Sequence, residues 1–411
     1  MSATGDVSVD SRSFSEPPTP RVRLTHRDIR FLKRPSELAL QATVVVGFTH
    51  RNHPEGLRDA LRSALQQVIT QQMALLVLDD SSDEGWIHSL DASLLSDPRI
   101  AIAVGRLGSP AQARNGVLDL VELAYPCARW VARMDADDRF ATPGSLHALV
   151  QAGDESDCHF VIGSNRLSVR GTELPDVNWA NPAILLNRRS LNVFIQAFCR
   201  QQVPQELPSC NLLLRVGSGI RYPYAVSAED HWLVAGLLMH RSQEGCVVAD
   251  PPYAVYSLDG EMTRANQKGE AWTKSRLALA QAADSWSRVH EIPGAKVLGW
   301  GQEGVVWRTP EGIYKRFYPY AMSAGDLVQV KRLSDAAGDA VIAFEPCEDG
   351  GDGLLIELDS EPLLALGHRW PLALSQRLLL KLYRSGVITS NMKRDNLRLT
   401  RDGGMRLANP S

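Results

Sequence analysis

Residues 43–48 read TVVVGF, an uninterrupted apolar run that is rich in β-branched side chains. Such a run is typical of a strand buried on both faces of a parallel sheet. Pro54 follows within a few residues and marks a helix start. The apolar residues after it recur at helical spacing, namely Leu57, Leu61, Ala64, Leu65 and Val68. This stretch therefore predicts one strand followed by one helix.

The same alternation continues along the chain. Further buried strands are predicted at Ala74–Leu78, Arg99–Val104 and Arg129–Met134, with a helix at Pro110–Leu123. Alternating strands and helices predict an α/β fold with a doubly wound parallel sheet, whose ligands bind at the carboxyl ends of the strands. Two of the predicted strands end directly in carboxylate clusters, DD at 79–80 and DADD at 135–138. A ligand site is therefore expected at that edge of the sheet.

The rest of the chain divides into segments that differ in composition and in the pattern of predicted strands and helices. Strands are predicted at Asn211–Arg215 and Tyr253–Leu258, and helices at Glu229–His240 and Ala271–Arg288. After Pro293 the pattern changes to short strands separated by glycine turns, typical of a separate small α+β domain. Residues before 38 are polar and proline-rich. The predicted organisation is a disordered leader at 1–37, a main domain at 38–268, a helical linker at 269–292 and a small domain at 293–411.

Composition excludes several classes of protein. The 411 residues carry a formal net charge of −3, so the chain lacks the excess of Lys and Arg that is typical of nucleic-acid-binding proteins. The longest apolar stretch, Trp232–Met239, is far shorter than the roughly 20 residues that span a bilayer. The N-terminus lacks the apolar core of a secretory signal. The six cysteines form no C-x-x-C pair, which favours buried free thiols in a reducing cytoplasm.

The carboxylate cluster at 135–138 is a candidate metal site. In an extended segment alternate residues point the same way, so Asp135 and Asp137 can converge on one point. Carboxylate oxygens on a short turn suit Mg²⁺ or Mn²⁺, which bridges phosphates in turn. The alternative is a solvated turn with helix-capping acids.

Two other acidic positions allow two interpretations each. Asp80 follows a buried strand, where its carboxylate can accept a hydrogen bond from a base N–H or can belong to a capped Asx-turn. Asp230 opens a helical segment, where it can act as a general base or only complement the helix dipole.

Five segments together resemble the family-2 inverting glycosyltransferases, nucleotide-sugar enzymes with the GT-A fold. In chain order they are TVVVGFTHRN at 43–52, LVLDDSSD at 76–83, QARN at 112–115, RMDADDR at 133–139 and AEDHWL at 228–233. The resemblance extends from Thr43 to Thr263. It implies a Rossmann-like mixed sheet flanked by helices, and a nucleotide-sugar donor that is UDP-linked.

The resemblance also implies roles for individual residues. The nucleotide-sugar-binding positions are Thr49, Arg51, Asp80, Arg114, Asp135, Asp138 and Arg264. Asp137, with Asp135, matches the metal ligands for Mn²⁺ or Mg²⁺. Glu229 and Asp230 match the family's catalytic pair, in which the Asp is the base. Arg51 stands where the family often has an aromatic residue, and Ser257 and Asp259 replace an Arg and a His of a later loop.

The implied reaction is a single displacement that inverts the anomeric centre. The metal neutralises the diphosphate as the anomeric C–O bond breaks, while Asp230 deprotonates the acceptor. No membrane helix is predicted, so a soluble acceptor is expected: a peptide, a natural product or a glycan.

The C-terminal section resembles a protein kinase that is degenerate and truncated. LGWGQEGVV at 298–306 is similar to a glycine-rich loop, Lys315 to the strand lysine, and GVITSNMKRDNLRL at 386–399 to a catalytic loop. Lys393 and Asn396 match that loop, but Asn391 and Asn409 stand where the kinase aspartates would be, and amides hold Mg²⁺ poorly. We therefore expect binding rather than phosphoryl transfer. For this section the alternatives are an active phosphotransferase or a small α+β appendage that binds no ligand. For the chain as a whole, the alternative is a sugar-nucleotide-binding protein without catalysis.

Overall fold

The computed structural model describes residues 29–83, 85–174, 180–203, 207–208, 211–223, 225, 227–257, 269–310, 312–318, 320–321 and 324–341. It also describes the short segments 344–346, 353–356, 360–362, 372–386, 397–400 and 405–407. Over these residues, no helix is both long and apolar enough to cross a lipid bilayer.

The described strands of the N-terminal part are β1 Ile29–Lys33, β2 Val44–His50, β3 Met73–Asp80, β4 Ile100–Gly105, β5 Trp130–Asp135, β6 Arg139–Phe140, β7 Phe160–Gly163, β8 Asn165–Val169, β9 Thr172–Glu173, β10 Leu212–Arg215, β11 Gly245–Val248 and β12 Ala254–Ser257. Those of the C-terminal part are β13 Lys296–Trp300, β14 Gly304–Thr309, β15 Gly312–Phe317, β16 Phe344–Pro346, β17 Gly353–Ile356, β18 Ser360–Pro362, β19 Leu397–Thr400 and β20 Met405–Leu407.

The described helices are α1 Glu37–Leu40, α2 Pro54–Leu65, α3 Ala92–Ser96, α4 Pro110–Ala124, α5 Ser145–Glu155, α6 Pro182–Leu185, α7 Arg188–Cys199, α8 Glu229–His240, α9 Glu270–Val289, α10 Ala324–Ala337 and α11 Leu372–Arg384. The strands and helices predicted between residues 43 and 135 are all present, with boundaries that differ by one or two residues. Val68 is the exception: it lies beyond the end of α2 and is exposed.

A mixed eight-stranded sheet forms the centre of the molecule, in the order β1-β4-β3-β2-β5-β10-β7-β11. The four strands from β4 to β5 are parallel, whereas β1 and β10 are antiparallel to their neighbours. A second sheet has the order β6-β12-β8-β9. The predicted α/β class with a mixed sheet is confirmed and is consistent with the GT-A fold.

Two apolar clusters cover the two faces of the central sheet. Alternate residues of one strand belong to different clusters, with Val45 in one and Val44 and Val46 in the other. Every residue of β3 is buried, including its two terminal aspartates. This two-sided burial explains why these strands are continuous apolar runs rather than alternating patterns.

The strand order creates a crevice at the carboxyl ends of β2 and β5. From β2 the chain proceeds to β3 and then to β4 on one side, and it returns to place β5 on the other side of β2. Ligands of open α/β sheets bind where the strand order reverses in this way. In the register of the sheet, Thr49 of β2 lies beside Asp135 of β5.

The predicted leader is too long at its C-terminal end. Residues 1–28 lie outside the described residues, but Ile29–Lys33 form β1, which pairs with β4 at the edge of the central sheet. Phe31 packs against the core, and the strand alternates buried or half-buried with exposed positions. Five residues are too few to stand out in a polar segment, although their alternation is typical of an edge strand.

The segment predicted as a helical linker is part of the core. Helix α9 packs against α7 and α8, and Leu279, Ala283 and Trp286 on it are fully buried. The four described cysteines are free thiols as expected, but Cys127 is exposed rather than buried.

The C-terminal part contains a five-stranded antiparallel sheet in the order β13-β14-β15-β17-β16, with α10 between β15 and β16 in the chain. Lys315 lies in the third strand of this sheet. Its ammonium group is 3.8 Å from the Glu303 carboxylate. Of the segment that resembles a kinase catalytic loop, residues 387–396 lie outside the described residues, as does Asn409.

Two histidines meet where α8 ends beside α9. His240 Nδ1 and His290 Nε2 are 2.9 Å apart. Burial, with His290 and Arg188 nearby, lowers the pKa of His240 well below its usual value. Burial and Arg188 lower the pKa of His290 to about 4. The folded chain thus keeps both imidazoles neutral under conditions in which an unfolded histidine is protonated.

This pair makes stability depend on pH. Between about pH 6.5 and 4 the unfolded state binds more protons than the folded state, so the unfolding free energy falls as the pH drops. We expect the thermal unfolding midpoint to decrease by several degrees from pH 7 to pH 5, and His290→Gln to reduce that decrease. His88→Gln is the control, since His88 is exposed. An unchanged pH dependence in His290→Gln would contradict the assignment.

Candidate active site

Thr49 and Asp135 mark the centre of the site, at adjacent strand ends. The Thr49 hydroxyl donates to Asp135 Oδ1 at 3.5 Å. Asp135 also pairs with Arg133, which lies two residues earlier on the same strand, and with Arg114 Nη2 at 3.5 Å. Burial opposes the charge on Asp135, but the two arginines outweigh it and hold its pKa below the usual value.

Arg114 joins the sheet to helix α8. It lies in the first turns of α4, and its side chain is only 11% exposed. Its Nη1 pairs with Glu229 and lies 3.7 Å from Asp230 Oδ2, while its Nη2 reaches Asp135. One guanidinium therefore contacts three carboxylates from two distant segments of the chain. The structure thus brings together five of the residues singled out in the sequence, namely Thr49, Arg114, Asp135, Glu229 and Asp230.

Glu229 and Asp230 open helix α8 with unusual backbone geometry. Ala228, the residue before them, has a φ of 57°, in the left-handed region that a non-glycine residue rarely adopts. The His231 N–H donates to Asp230 Oδ1 at 2.8 Å. Burial raises the cost of the Asp230 charge, but His231, Arg114 and Arg133 lower its pKa to about 2. Asp230 is therefore ionised throughout the neutral pH range.

Asp137 and Asp138 have different surroundings. Burial and the neighbouring charge of Asp135 raise the pKa of Asp137. Asp138 is nearly buried, and its Oδ1 accepts the Ser257 N–H at 3.0 Å, at the end of β12. This contact ties the acidic turn to the second sheet, so the geometry of Asp138 indicates a structural contribution to the site.

Asp80 lies two strands away from Asp135, a sideways spacing of about 10 Å, and two residues further along its own strand in the register of the sheet. Its Oδ1 accepts the N–H of Leu107 at 2.7 Å and that of Gly108 at 3.4 Å. These contacts hold the loop after β4 in place. Both contacts are made by the Oδ1 atom of the carboxylate, and the contact of Asp80 with a nucleoside stays a prediction.

The loops that follow β2 and β3 are clasped together. His50 Nδ1 lies 2.7 Å from Asp79 Oδ1, and Ser82 donates to the same carboxylate. The Asn52 N–H donates to Ser82 Oγ at 2.8 Å, and Asn52 Oδ1 accepts from Asp83 N–H at 2.8 Å. Since serine and histidine share one aspartate as partner, this is a structural clasp and not a hydrolytic triad.

One predicted binding residue lies apart from this cluster. Arg51 is exposed on the loop after β2. Arg264 lies outside the described residues. The two residues after Asp230 pack inside the protein: His231 lies edge-on against Phe198 at 5.1 Å, and Trp232 is fully buried.

Tyr222 and Arg133 belong to the site although sequence reasoning did not select them. The guanidinium carbons of Arg114 and Arg133 lie 5.5 and 5.9 Å from the centre of the Tyr222 ring. Burial raises the pKa of Tyr222 to about 12, so its hydroxyl stays protonated. Among the described residues, this hydroxyl has no hydrogen-bond partner. A charged residue within a buried strand is a signal for Arg133; nothing in the sequence marks Tyr222.

The acidic turn at 135–138 offers too few ligands to hold a divalent cation alone, so phosphate oxygens of a bound substrate would have to complete the site. Over the described part of the chain, no group of three or more His, Cys, Asp or Glu side chains is arranged to hold a metal ion. Asp135 is paired with arginines, whereas Asp137 carries a carboxyl whose ionisation is opposed by burial and by Asp135. A cation relieves such repulsion, and Mg²⁺ is commonly held by one or two carboxylates plus substrate phosphates.

Comparison with solved structures gives several partial similarities. The S. aureus TarS segment 1–349 in complex with UDP-GlcNAc is 18% identical with a TM-score of 0.43, and the match covers 59% of this chain and 66% of that one. A longer S. aureus TarS chain is 17% identical with a TM-score of 0.36, over 58% of this chain and 42% of that one. This chain thus spans less than two thirds of these TarS chains.

The mannosyltransferase PcManGT from Pyrobaculum calidifontis, in complex with GDP-Man and Mn²⁺, is 14% identical with a TM-score of 0.39, over 63% of this chain and 76% of that one. No curated protein sequence matches the chain.

Comparison with protein families gives one match to this chain's own sequence. Residues 43–216 match the family described as Glycosyl transferase family 2. The match includes Thr49, Asp80, Arg114 and the acidic turn, and it ends before Glu229 and Asp230. The family predicted from the five segments is confirmed for this range, and residues 43–216 form a glycosyltransferase family 2 domain.

Proposed function

We propose that the chain is a metal-dependent inverting glycosyltransferase that moves a sugar from a UDP-linked donor to a hydroxyl or other nucleophile of an acceptor. One observation carries the proposal: Arg114 contacts Asp135 at the end of β5 and both Glu229 and Asp230 at the start of α8. The two groups that family resemblance assigns to the donor and to the acceptor are therefore parts of one electrostatic cluster.

The donor side of this cluster is the edge of the sheet. Thr49 and Asp80 lie at the ends of β2 and β3, directly before the clasped loops that would enclose the nucleoside. Arg114 and Arg133 supply positive charge beside the strand ends, where a diphosphate needs it. Asp137, with Asp135, would hold Mn²⁺ or Mg²⁺, which neutralises the leaving diphosphate when bound.

The acceptor side is the start of helix α8. Asp230 accepts the proton of the acceptor as the acceptor attacks the anomeric carbon, and the bond from that carbon to the diphosphate oxygen breaks on the opposite face. Because its pKa is about 2, Asp230 is a weak base that is always available in its ionised form. Such a base takes up the proton only as the new bond forms, when the acceptor oxygen becomes acidic. The acceptor we propose is a peptide, a natural product or a glycan, in the cytoplasm.

The test is turnover of a donor panel. UDP-GlcNAc, UDP-glucose, UDP-galactose and GDP-mannose are incubated with the full chain and Mn²⁺, and the release of UDP or GDP is measured. We expect UDP release that chelation of the metal abolishes. We also expect Asp137→Asn to raise the Mn²⁺ concentration for half-maximal rate by roughly tenfold or more, since a ligand of the cation is weakened. Exposed Asp284→Asn is the matched control.

The same panel separates the alternatives. Donor binding seen as a thermal shift, without release of UDP or GDP from any donor, would identify a binding protein and refute the enzyme. An ATP sample tests phosphoryl transfer, for which we expect no activity. Transfer from ATP that Lys315→Ala abolishes would support the phosphotransferase instead.

We also propose that residues 293–411 form a degenerate kinase-like domain. Its support is the described antiparallel sheet, in which the glycine-rich segment joins the first two strands and Lys315 lies on the third. Kinase lysines of this kind pair with a glutamate on the following helix. Helix α10 contains no glutamate, and the Lys315 ammonium lies 3.8 Å from the Glu303 carboxylate in the glycine-rich turn. This departure favours a role other than phosphoryl transfer.

A further inference from the structure

Helix α8 carries a stripe that faces the C-terminal part of the chain. Trp232, Gly236 and His240 are spaced by four residues, so they share one face of the helix. Glycine in a helix interior is less stable than alanine, since it has more conformational freedom to lose. A glycine in the middle of a fully buried helix therefore needs a reason in the packing around it.

Trp300 supplies that reason. A Cβ atom at Gly236 would overlap the Trp300 indole, so only glycine leaves room for the ring. The indole Nε1 donates to the Trp232 carbonyl at 3.3 Å, and the indole lies 5.0 Å from the His240 ring. Trp300 is the last residue of β13, directly before the glycine-rich turn. One side chain of the C-terminal sheet thus contacts all three residues of the stripe on α8.

A hydrogen-bond chain adds a second connection. Gln302, in the glycine-rich turn, donates to Ser275 Oγ at 3.3 Å. Ser275 is buried on α9 and donates in turn to the Ser227 carbonyl at 2.5 Å. The Trp232 indole also donates to Ser275, at 3.1 Å. The turn is therefore linked to the backbone three residues before Asp230.

The start of α8 depends on such support. Ala228 adopts a left-handed conformation, and such strain persists only where the surrounding structure imposes it. The helix has no side-chain N-cap hydrogen bond. Position and direction of α8 therefore come from packing along its length, and the Trp300 contact forms part of that packing.

We propose that the C-terminal domain acts in sugar transfer, as a positioning element: Trp300, seated on Gly236, holds helix α8 so that Glu229 and Asp230 meet Arg114. The glycine-rich turn, which resembles a phosphate-binding loop, serves here as a contact between domains. The kinetic part of this proposal rests on the proposed function. In this proposal Trp300 contacts neither the donor nor the acceptor. It affects the transfer rate only by holding helix α8 in position.

The test is a double-mutant cycle on the full chain. Gly236→Ala introduces the clash and should lower kcat at least tenfold. The donor Kd should change less, by about threefold at most, because Thr49, Asp80 and Asp135 lie on strands of the sheet and only Arg114 contacts α8. Trp300→Ala removes the indole and should lower kcat to a smaller extent. In the double variant the clash is gone, so its kcat should match that of Trp300→Ala. Gly299→Ala is the matched control, since nothing lies within 4 Å of a Cβ there.

Hydrogen–deuterium exchange of residues 229–240 gives a readout without activity. We expect faster exchange in Trp300→Ala and in the milder Trp300→Leu than in the wild type, which keeps the test possible if Gly236→Ala does not fold. If the wild type transfers no sugar, the proposed function fails, and the exchange data still decide the role of Trp300. Unchanged exchange in both Trp300 variants overturns the proposal. So do additive effects in the cycle, or a loss of kcat matched by an equal loss of donor binding.

Discussion

Asp230→Asn should abolish most of the transfer activity while leaving the donor bound. General base catalysis contributes typically about 10²- to 10⁴-fold, so we expect kcat to fall by that factor. The amide keeps the shape of the side chain but cannot accept the acceptor's proton. Asp230 is ionised in the native protein because His231, Arg114 and Arg133 outweigh the effect of burial on its pKa. The measurement is the initial rate of UDP release with the preferred donor, alongside the donor Kd.

Two comparisons make this prediction specific. Asp284→Asn, an exposed carboxylate on α9, should leave kcat unchanged. Glu229→Gln alters the partner of Arg114 and should act mainly by shifting Arg114. Full activity in Asp230→Asn would show that another group is the base, although the family assignment of residues 43–216 would stand.

Arg114→Met should lower the unfolding free energy more than the removal of one partner from an exposed ion pair does. The side chains of Arg114 and Glu229 are 11% and 7% exposed, so removal of the cation leaves carboxylates buried without their partner. Breaking a buried ion pair in this way costs about 3–5 kcal/mol of unfolding free energy. Transfer should be lost as well, since the donor diphosphate loses a cation. Chemical denaturation measures the first effect, and UDP release the second.

A second variant separates charge from packing. Glu229→Gln together with Arg114→Met removes both charges of the closest pair, so part of the lost stability should return while activity stays absent. Arg62→Met is the exposed control: Arg62 pairs with Asp91 at 2.5 Å but is half exposed, and such pairs are worth less than about 1 kcal/mol. Equal losses in Arg62→Met and Arg114→Met would contradict the burial argument.

Much of the fold was predictable because two-sided burial leaves a direct trace in sequence. The apolar runs at β2 and β3 are typical of strands buried on both faces, and β5 differs only in carrying Arg133 among its apolar residues. The same argument placed Asp80 and Asp135 at one edge, since parallel strands end together. The ion pair between Asp135 and Arg133 was not predictable. The sequence of an acidic turn indicates a metal ligand, but it does not show whether an arginine side chain already neutralises that aspartate.

Contacts between distant segments explain the rest. Tyr222 reaches Arg114 from a loop more than 100 positions later in the chain, and no periodicity encodes that approach. In the sequence, Gly236 only indicates a residue that destabilises a helix. Its role becomes clear in the structure, where the Trp300 indole packs against it. The edge strand β1 was missed for a different reason. Its few residues are half polar, so the composition of the surrounding segment dominated the prediction.

Strand β1 also has a practical consequence for handling the protein. It occupies the open side of β4, whose residues IAIAVG are almost entirely buried. A shortened form that begins at residue 38 would leave the backbone amides and carbonyls of that apolar strand free to recruit another molecule. Aggregation during expression is the expected penalty, and truncation for crystallisation therefore has to stop before Ile29.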